Sequence, residues 1–347
     1  MVWAWWLILI FLLVQLVLLG YLLIIKSASL RYDARLQKSY RQLLPAFIAY
    51  ASGDIEEKPV LPREPKLRRE VLEMTLSRLA SLTEESEERL RLYYLSEVEL
   101  LPFYEKSLKK GGWAERMNTM YFIEDFRLDY MADAVAARER KLRENGEEYR
   151  QAVRTMASLS HPRAIDCLFD DRPKSLTFVK EILRRLSAEQ LALLHSRINP
   201  EEEQDSMILQ AFLVHIGERN EVSFISYVEE ALQHESKEIR LKAMKSLCFY
   251  QYMKHPEKIQ SFFDSEHWEE RMYACKVAAA LSMEPWRKEL MDRLGDSAWW
   301  VRLAAAETLW SFSDGGILLE YAKEKHEDRY GRDMAAQVLT MHTEVKA

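Results

Sequence analysis

Glycine and proline are scarce, ten of each in 347 residues. So little turn chemistry excludes the many tight reversals of a β-sandwich or barrel, and the abundance of Leu, Ala, Glu and Arg points to helix. Cysteine is rarer still. Cys167, Cys248 and Cys275 are an odd set without metal-type spacing, which excludes a disulfide framework; they read as small buried hydrophobes in a reducing compartment. Positive charge is not in excess: 49 Lys and Arg against 55 Asp and Glu leave a net −6. That balance is the wrong one for broad binding of nucleic acid. There is no Gly-rich phosphate loop, no G-x-S-x-G elbow and no Cys–His arrangement picked out by spacing. His161, His195, His215, His255 and His342 form no HxxxH or HExxH. The expectation is therefore no catalytic residue, no cofactor and no metal.

What the chain does have begins at its N-terminus. Residues 2–25, VWAWWLILIFLLVQLVLLGYLLII, carry no charge and only Gln15 as a clear polar interruption. As a helix at about 1.5 Å per residue they span roughly 36 Å, enough for a ~30 Å hydrocarbon core. Trp3, Trp5, Trp6 and Tyr21 are placed like interfacial aromatics, and Lys26, Arg31, Arg35, Lys38 and Arg41 all follow the run. The positive-inside rule then puts the N-terminus outside and the body in the cytoplasm, a single-pass protein of the cell membrane. A cleaved signal peptide is the competing reading; it would have a basic leader and a shorter apolar run.

Residues 26–110 read as a helical neck. Helical periodicity continues to about Gly53, and its basic first part either faces anionic headgroups or simply sets topology. Pro59, Pro62 and Pro65 mark a linker over 54–66. Two amphipathic helices follow near 66–82 and 84–109. Ser81–Thr83 would cap the second ahead of Glu84, Glu85, Glu87 and Glu88. Gly111 and Gly112 end the segment.

From 111 to 347 the text repeats. Arg240, Arg271 and Arg302 are 31 residues apart and Arg332 follows after 30, each with a small residue at +3: Ala243, Ala274, Ala305, Ala335. A helical unit recurring at that interval is the mark of stacked helix pairs, none of which buries its apolar face alone. Second helices are predicted at 113–126, 147–159, 174–186, 205–217, 236–250, 267–282, 298–312 and 328–343. Short first helices lie between them, 160–169 and 256–263 included, with a longer one at 128–142. Small side chains at shared-face positions allow neighbouring helices to approach closely.

The stretch 294–310, LGDSAWWVRLAAAETLW, resembles the second-helix motif of a HEAT repeat, an Asp turn followed by Val-Arg and a small-residue face. Ser160–Leu168, SHPRAIDCL, resembles the turn and first helix of the bacterial form. The resemblance covers 112–345, most clearly after 234. It departs at Glu270, where Ile239 and Val301 supply an apolar residue. It implies an all-α, right-handed α-solenoid, preceded here by the transmembrane anchor (1–25) and neck (26–110). It also implies that Arg240, Arg271, Arg302 and Arg332 serve stacking by bonding to an adjacent repeat's turn. HEAT arrays bind proteins but share no one activity. One HEAT-like hydroxylase family holds di-iron through four His–Glu pairs. Here only His234–Glu235 and His326–Glu327 occur, both in turns.

Trp113, Trp268 and Trp299 each lie three residues before Arg116, Arg271 or Arg302. They read either as an exposed edge that receives a partner or as fillers between repeats that stack on their arginines. Trp286, Trp300 and Trp310 read as packing. The expected function is that of a membrane-anchored cytoplasmic scaffold. Its partners are membrane-associated proteins, an integral-membrane enzyme complex being one such client, and it contacts the bilayer through 2–25. The alternative is a tethered HEAT-like enzyme, a lyase or metal-dependent hydroxylase.

Overall fold

In a computed structural model, residues 2–80 and 86–344 are described, and they form helices joined by turns with no strand among them. The expected cap at Ser81–Thr83 lies outside the described residues. Two compact units, Met1–Ala164 and Ile165–Ala347, divide the chain inside the repeating segment.

The first unit holds α1 (Val2–Ser52), α2 (Pro65–Ala80), α3 (Ser86–Lys110), α4 (Trp113–Asp125), α5 (Ala132–Glu139) and α6 (Glu147–Ser158), and α7 (Arg163–Asp166) starts in it. The first part of α1 stands clear of the other helices, its apolar side chains exposed. It belongs to the one described helix long and apolar enough to cross a membrane, and length and composition suit a span or a signal sequence equally. The helix does not stop at Lys26. Its next turns lean Tyr32, Leu36, Tyr40, Leu43 and the fully buried Phe47 onto the body, in contact with α2 and α3. Arg31, Arg35, Lys38 and Arg41 occupy the exposed opposite side. Tyr32 Oη donates to Glu70 at 2.8 Å, and Lys66 Nζ lies 4.3 Å from the Tyr32 ring centroid. Gly53, at φ +83°, lets the chain leave α1 in a conformation that L side chains resist.

The second unit continues with α8 (Leu176–Leu183), α9 (Ala188–Arg197), α10 (Ser206–Glu218), α11 (Ile225–Ala231), α12 (Lys237–Tyr250), α13 (Trp268–Ala280), α14 (Arg287–Arg293), α15 (Trp299–Ser311), α16 (Gly315–Lys325) and α17 (Arg329–Glu344). The longer helices touch in succession, α10 to α12, α12 to α13, α13 to α15, α15 to α17, and the short ones pack beside them. Ala243, Ala274, Ala305 and Ala335 are all fully buried. Helices α10 and α12 approach closely at Gly217, where an added Cβ would stand 2.8 Å from Ser246 Cα; only glycine permits that separation.

Two predicted helices are corrected. Residues 256–264 form a continuous 3₁₀ helix, Pro256–Asp264, and in place of 160–169 only one α-helical turn, Arg163–Asp166, is present. Pro256 at the start and a segment that must seat Ile259, Phe262 and Phe263 together favour the three-residue spacing. Of the cysteines, Cys167 and Cys275 are buried but Cys248 is only partly so.

Four helices end in the same way without glycine. Arg127, Ser160, Asn220 and Ser282 adopt left-handed φ of 49°, 57°, 54° and 53°. The next residue's N–H reaches back to Ile123, Met156, Ile216 and Ala278 respectively, the 6→1 bond of a Schellman motif.

His215, on the buried side of α10, has no hydrogen-bond partner at Nε2. Burial first, then the nearby Arg219 and Arg184, push its pKa down to about 4, against an opposing backbone bond with Leu183. Unfolded, the ring titrates near 6.5. Between those values the unfolded chain holds a proton that the folded chain lacks, so stability is complete above pH ~6.5 and is lost as pH falls toward 4. Thermal melts of residues 27–347 should show this decline, and His215→Gln should flatten it.

Candidate functional site

Each repeat arginine closes the turn that precedes its own helix. The Nη1 of Arg240 donates to the carbonyls of His234 (2.9 Å) and Glu235 (2.7 Å). Arg271 does the same to Ser265 (2.8 Å) and Glu266 (3.3 Å), Arg302 to Asp296 (2.7 Å) and Ser297 (3.2 Å), and Arg332 to His326 (2.6 Å) and Glu327 (3.0 Å). The residue six before each arginine differs in type but not in task. His234 Nδ1, Ser265 Oγ, Asp296 Oδ1 and His326 Nδ1 each accept the backbone N–H two residues on, at 2.8–3.1 Å. One side chain thus tightens the turn from inside while the arginine holds it from the helix.

The other guanidinium nitrogens reach the next repeat. Arg240 Nε donates to Glu270 at 2.7 Å, which explains the departure at that position: Glu270 is 2 % exposed and is the carboxylate that Arg240 requires. Arg271 makes a two-pronged bond to Asp296, 2.6 and 2.8 Å, in the turn before α15. Burial alone would raise the Asp296 pKa, but Arg271, the Ala298 N–H and Arg293 outweigh it and hold the carboxyl below its usual value. Among the described residues Arg302 meets no carboxylate. Its guanidinium lies 5.1 Å from the Tyr330 ring centroid, the ring that follows in the register. In the first unit Arg116 behaves as a further member, bonding to the Gly111 carbonyl and, through Nε and Nη2, to Glu148, which Arg138 also meets.

The histidines of the two His–Glu pairs belong to this turn chemistry. His234 Nε2 lies 2.8 Å from the Pro200 carbonyl and His326 Nε2 3.0 Å from that of Met291, so both nitrogens of each ring are engaged. Gly331 makes room for the second ring, since a Cβ there would lie 2.7 Å from His326 Cε1. Among the described residues no three His, Cys, Asp or Glu are grouped as metal ligands.

The tryptophans sit at the starts of the helices the arginines hold. Trp113 is 56 % exposed in the first unit; Trp268 and Trp299 are 39 % and 40 % exposed in the second. Trp300, expected to pack, is instead 56 % exposed; it lies in the first turn of α15 and meets Trp299 edge-on, ring centroids 4.7 Å apart. Tyr330, 63 % exposed, occupies the equivalent place on α17. The second unit therefore presents Trp268, Trp299, Trp300 and Tyr330 along the N-terminal ends of three helices in contact. Trp286 is buried against Phe263, and Trp310 stacks on His342 at 4.8 Å. A separate cavity of about 470 Å³ is lined by Phe169, Asp170, Arg172, Lys174, Arg197 and Asp205 among others; Arg172 and Lys174 pair with Asp170, and Asp205 accepts the Asn199 N–H.

In comparisons with known proteins, no family model matches the chain and no curated protein matches it.

Removing Arg240 would leave the buried Glu270 carboxyl without its guanidinium, and losing one partner of a buried pair costs about 3–5 kcal/mol. Arg240→Ala should therefore destabilise residues 27–347 strongly in urea titrations. Adding Glu270→Val, the residue type of the sister position Val301, should recover part of the loss. Additive costs would show that the pair is not coupled.

Proposed function

We propose that the chain is a membrane-anchored adaptor that captures protein partners on the aromatic edge of a cytoplasmic helical array. The observation that carries this reading is the edge: Trp268, Trp299, Trp300 and Tyr330 are partly or largely exposed on helix ends that arginine bonds hold rigid. Large aromatics on a preorganised support supply most of the energy at interfaces. The segment 111–347 is read as a right-handed HEAT-like α-solenoid. The succession α10, α12, α13, α15, α17 and the constant arginine register support this.

Residues 2–25 are read as a retained anchor. The helix runs without a break from the apolar stretch into the packed Tyr32 and Phe47, as a removable leader need not do. The basic residues after it favour a cytoplasmic body and an external N-terminus. Tethering confines the search for clients to the membrane surface and raises their effective concentration, which suits membrane-associated partners such as an integral-membrane enzyme complex. The hydroxylase form of the enzymatic alternative needs the His–Glu pairs as ligands, and their imidazoles are committed to turns.

The double variant Trp268→Ala/Trp299→Ala should weaken partner recovery in a quantitative detergent pull-down by about tenfold or more, with cooperative melting retained. Undiminished recovery would sink the edge; loss of cooperative melting would return both rings to packing. A reporter active only in the cytoplasm, fused after Ala347, should be active. Silence there, with activity from a reporter of the opposite compartment, would invert the topology.

A further inference from the structure

Gln15 is the single primary amide in residues 2–25, a stretch without charge, and lies near its middle. Within hydrocarbon its two N–H donors and its carbonyl have no water to bond, and lipid tails offer none. The side chain is exposed and no other part of the body reaches it. Ile8, Phe11, Leu18 and Leu22 recur at helical spacing on the same side, each more than half exposed.

That side has a definite direction. At about 100° per residue, it continues upward into the side from which Tyr32, Leu36, Tyr40 and Leu43 lean onto the body, while Arg31, Arg35 and Lys38 lie opposite. A groove of about 540 Å³ opens there, lined by Leu36, Tyr40, Met74 and Phe122 with Glu70 and Glu73. Leu36 stands roughly 16 Å along the helix from Ile25.

We propose that this side of α1 is the seat of a transmembrane helix from a different membrane protein. That helix presents a Ser, Thr, Asn, Gln or His to the Gln15 amide, and its continuation out of the bilayer enters the groove. A second copy of this chain does not fit. Two copies facing each other through Gln15 would bring both bodies to the same side, between the anchors, where each excludes the other. Nor does the apolar run carry the small-xxx-small pattern of a self-associating helix. A foreign helix that ends near the groove has the space beside α1 to itself.

The inference rests on the anchored-adaptor reading, and the experiment separates the two. In the full chain, expressed in its own membrane, a photo-cross-linking benzoylphenylalanine replaces Leu18 or Leu22 on the proposed side, or Leu13 or Ile24 on the opposite one. Expected are adducts from 18 and 22 whose cross-linked peptide maps to a transmembrane helix of another protein, with none from 13 and 24. Gln15→Leu, which keeps the helix apolar, should lower the yield about three- to thirtyfold. Equal labelling from both sides, adducts only between copies of this chain, or yields indifferent to Gln15→Leu would each overturn the seat. Those results in a full-length, membrane-bound chain leave the adaptor reading standing. A shortened chain in the soluble fraction would remove the anchor itself, and the seat with it.

Discussion

A guanidinium bound to two carbonyls of the turn before its own helix is the interaction on which the second unit depends. Each bond to a charged donor contributes about 1.5–3 kcal/mol, and the geometry is fixed by a planar group with several parallel N–H vectors. The remaining nitrogens face the next helix and find what that repeat supplies: Glu270, Asp296 or the Tyr330 ring. One residue type thus sets the turn within a repeat and the contact between repeats. Lysine, a single point donor, cannot do both.

The aromatic edge lies at the start of the helices that this arrangement holds. The residues two and three positions before each arginine open its helix. At α13, α15 and α17 those positions hold Trp268, Trp299, Trp300 and Tyr330. At α12 the equivalent place holds Lys237, which pairs with Glu269 at 3.1 Å and leaves no aromatic surface. In the second unit the exposed aromatics of this register are thus those of α13, α15 and α17.

Much of the helical layout was legible, because binary pattern and punctuation repeat together. The arginine interval, the small residues at +3 and the proline cluster at 54–66 each marked a boundary that a helix respects. The four non-glycine helix ends were not legible. Arg127, Ser160, Asn220 and Ser282 take left-handed φ because a back-bonded N–H and the packed helix behind them outweigh the local steric cost. The 3₁₀ segment Pro256–Asp264 was missed for a related reason: three- and four-residue spacings of Ile259, Phe262 and Phe263 differ too little for pattern alone to separate. The sequence reads Trp300 as packing because one tryptophan beside another gives no hint of which points in.

Periodicity, charge and the apolar run at 2–25 were enough to establish helices, their register and one segment fit for a bilayer, since these depend on local spacing along the chain. The jobs of individual side chains emerged only from contacts between helices. Glu270 breaks the apolar pattern of the repeat, and Arg240 across from it supplies the reason. His234 and His326, read as turn residues, have rings that bond to the Pro200 and Met291 carbonyls, 34 and 35 residues earlier in the chain, which spacing alone does not reveal. A buried charge or imidazole takes its meaning from a partner that sequence distance conceals, and burial is what makes that partner obligatory.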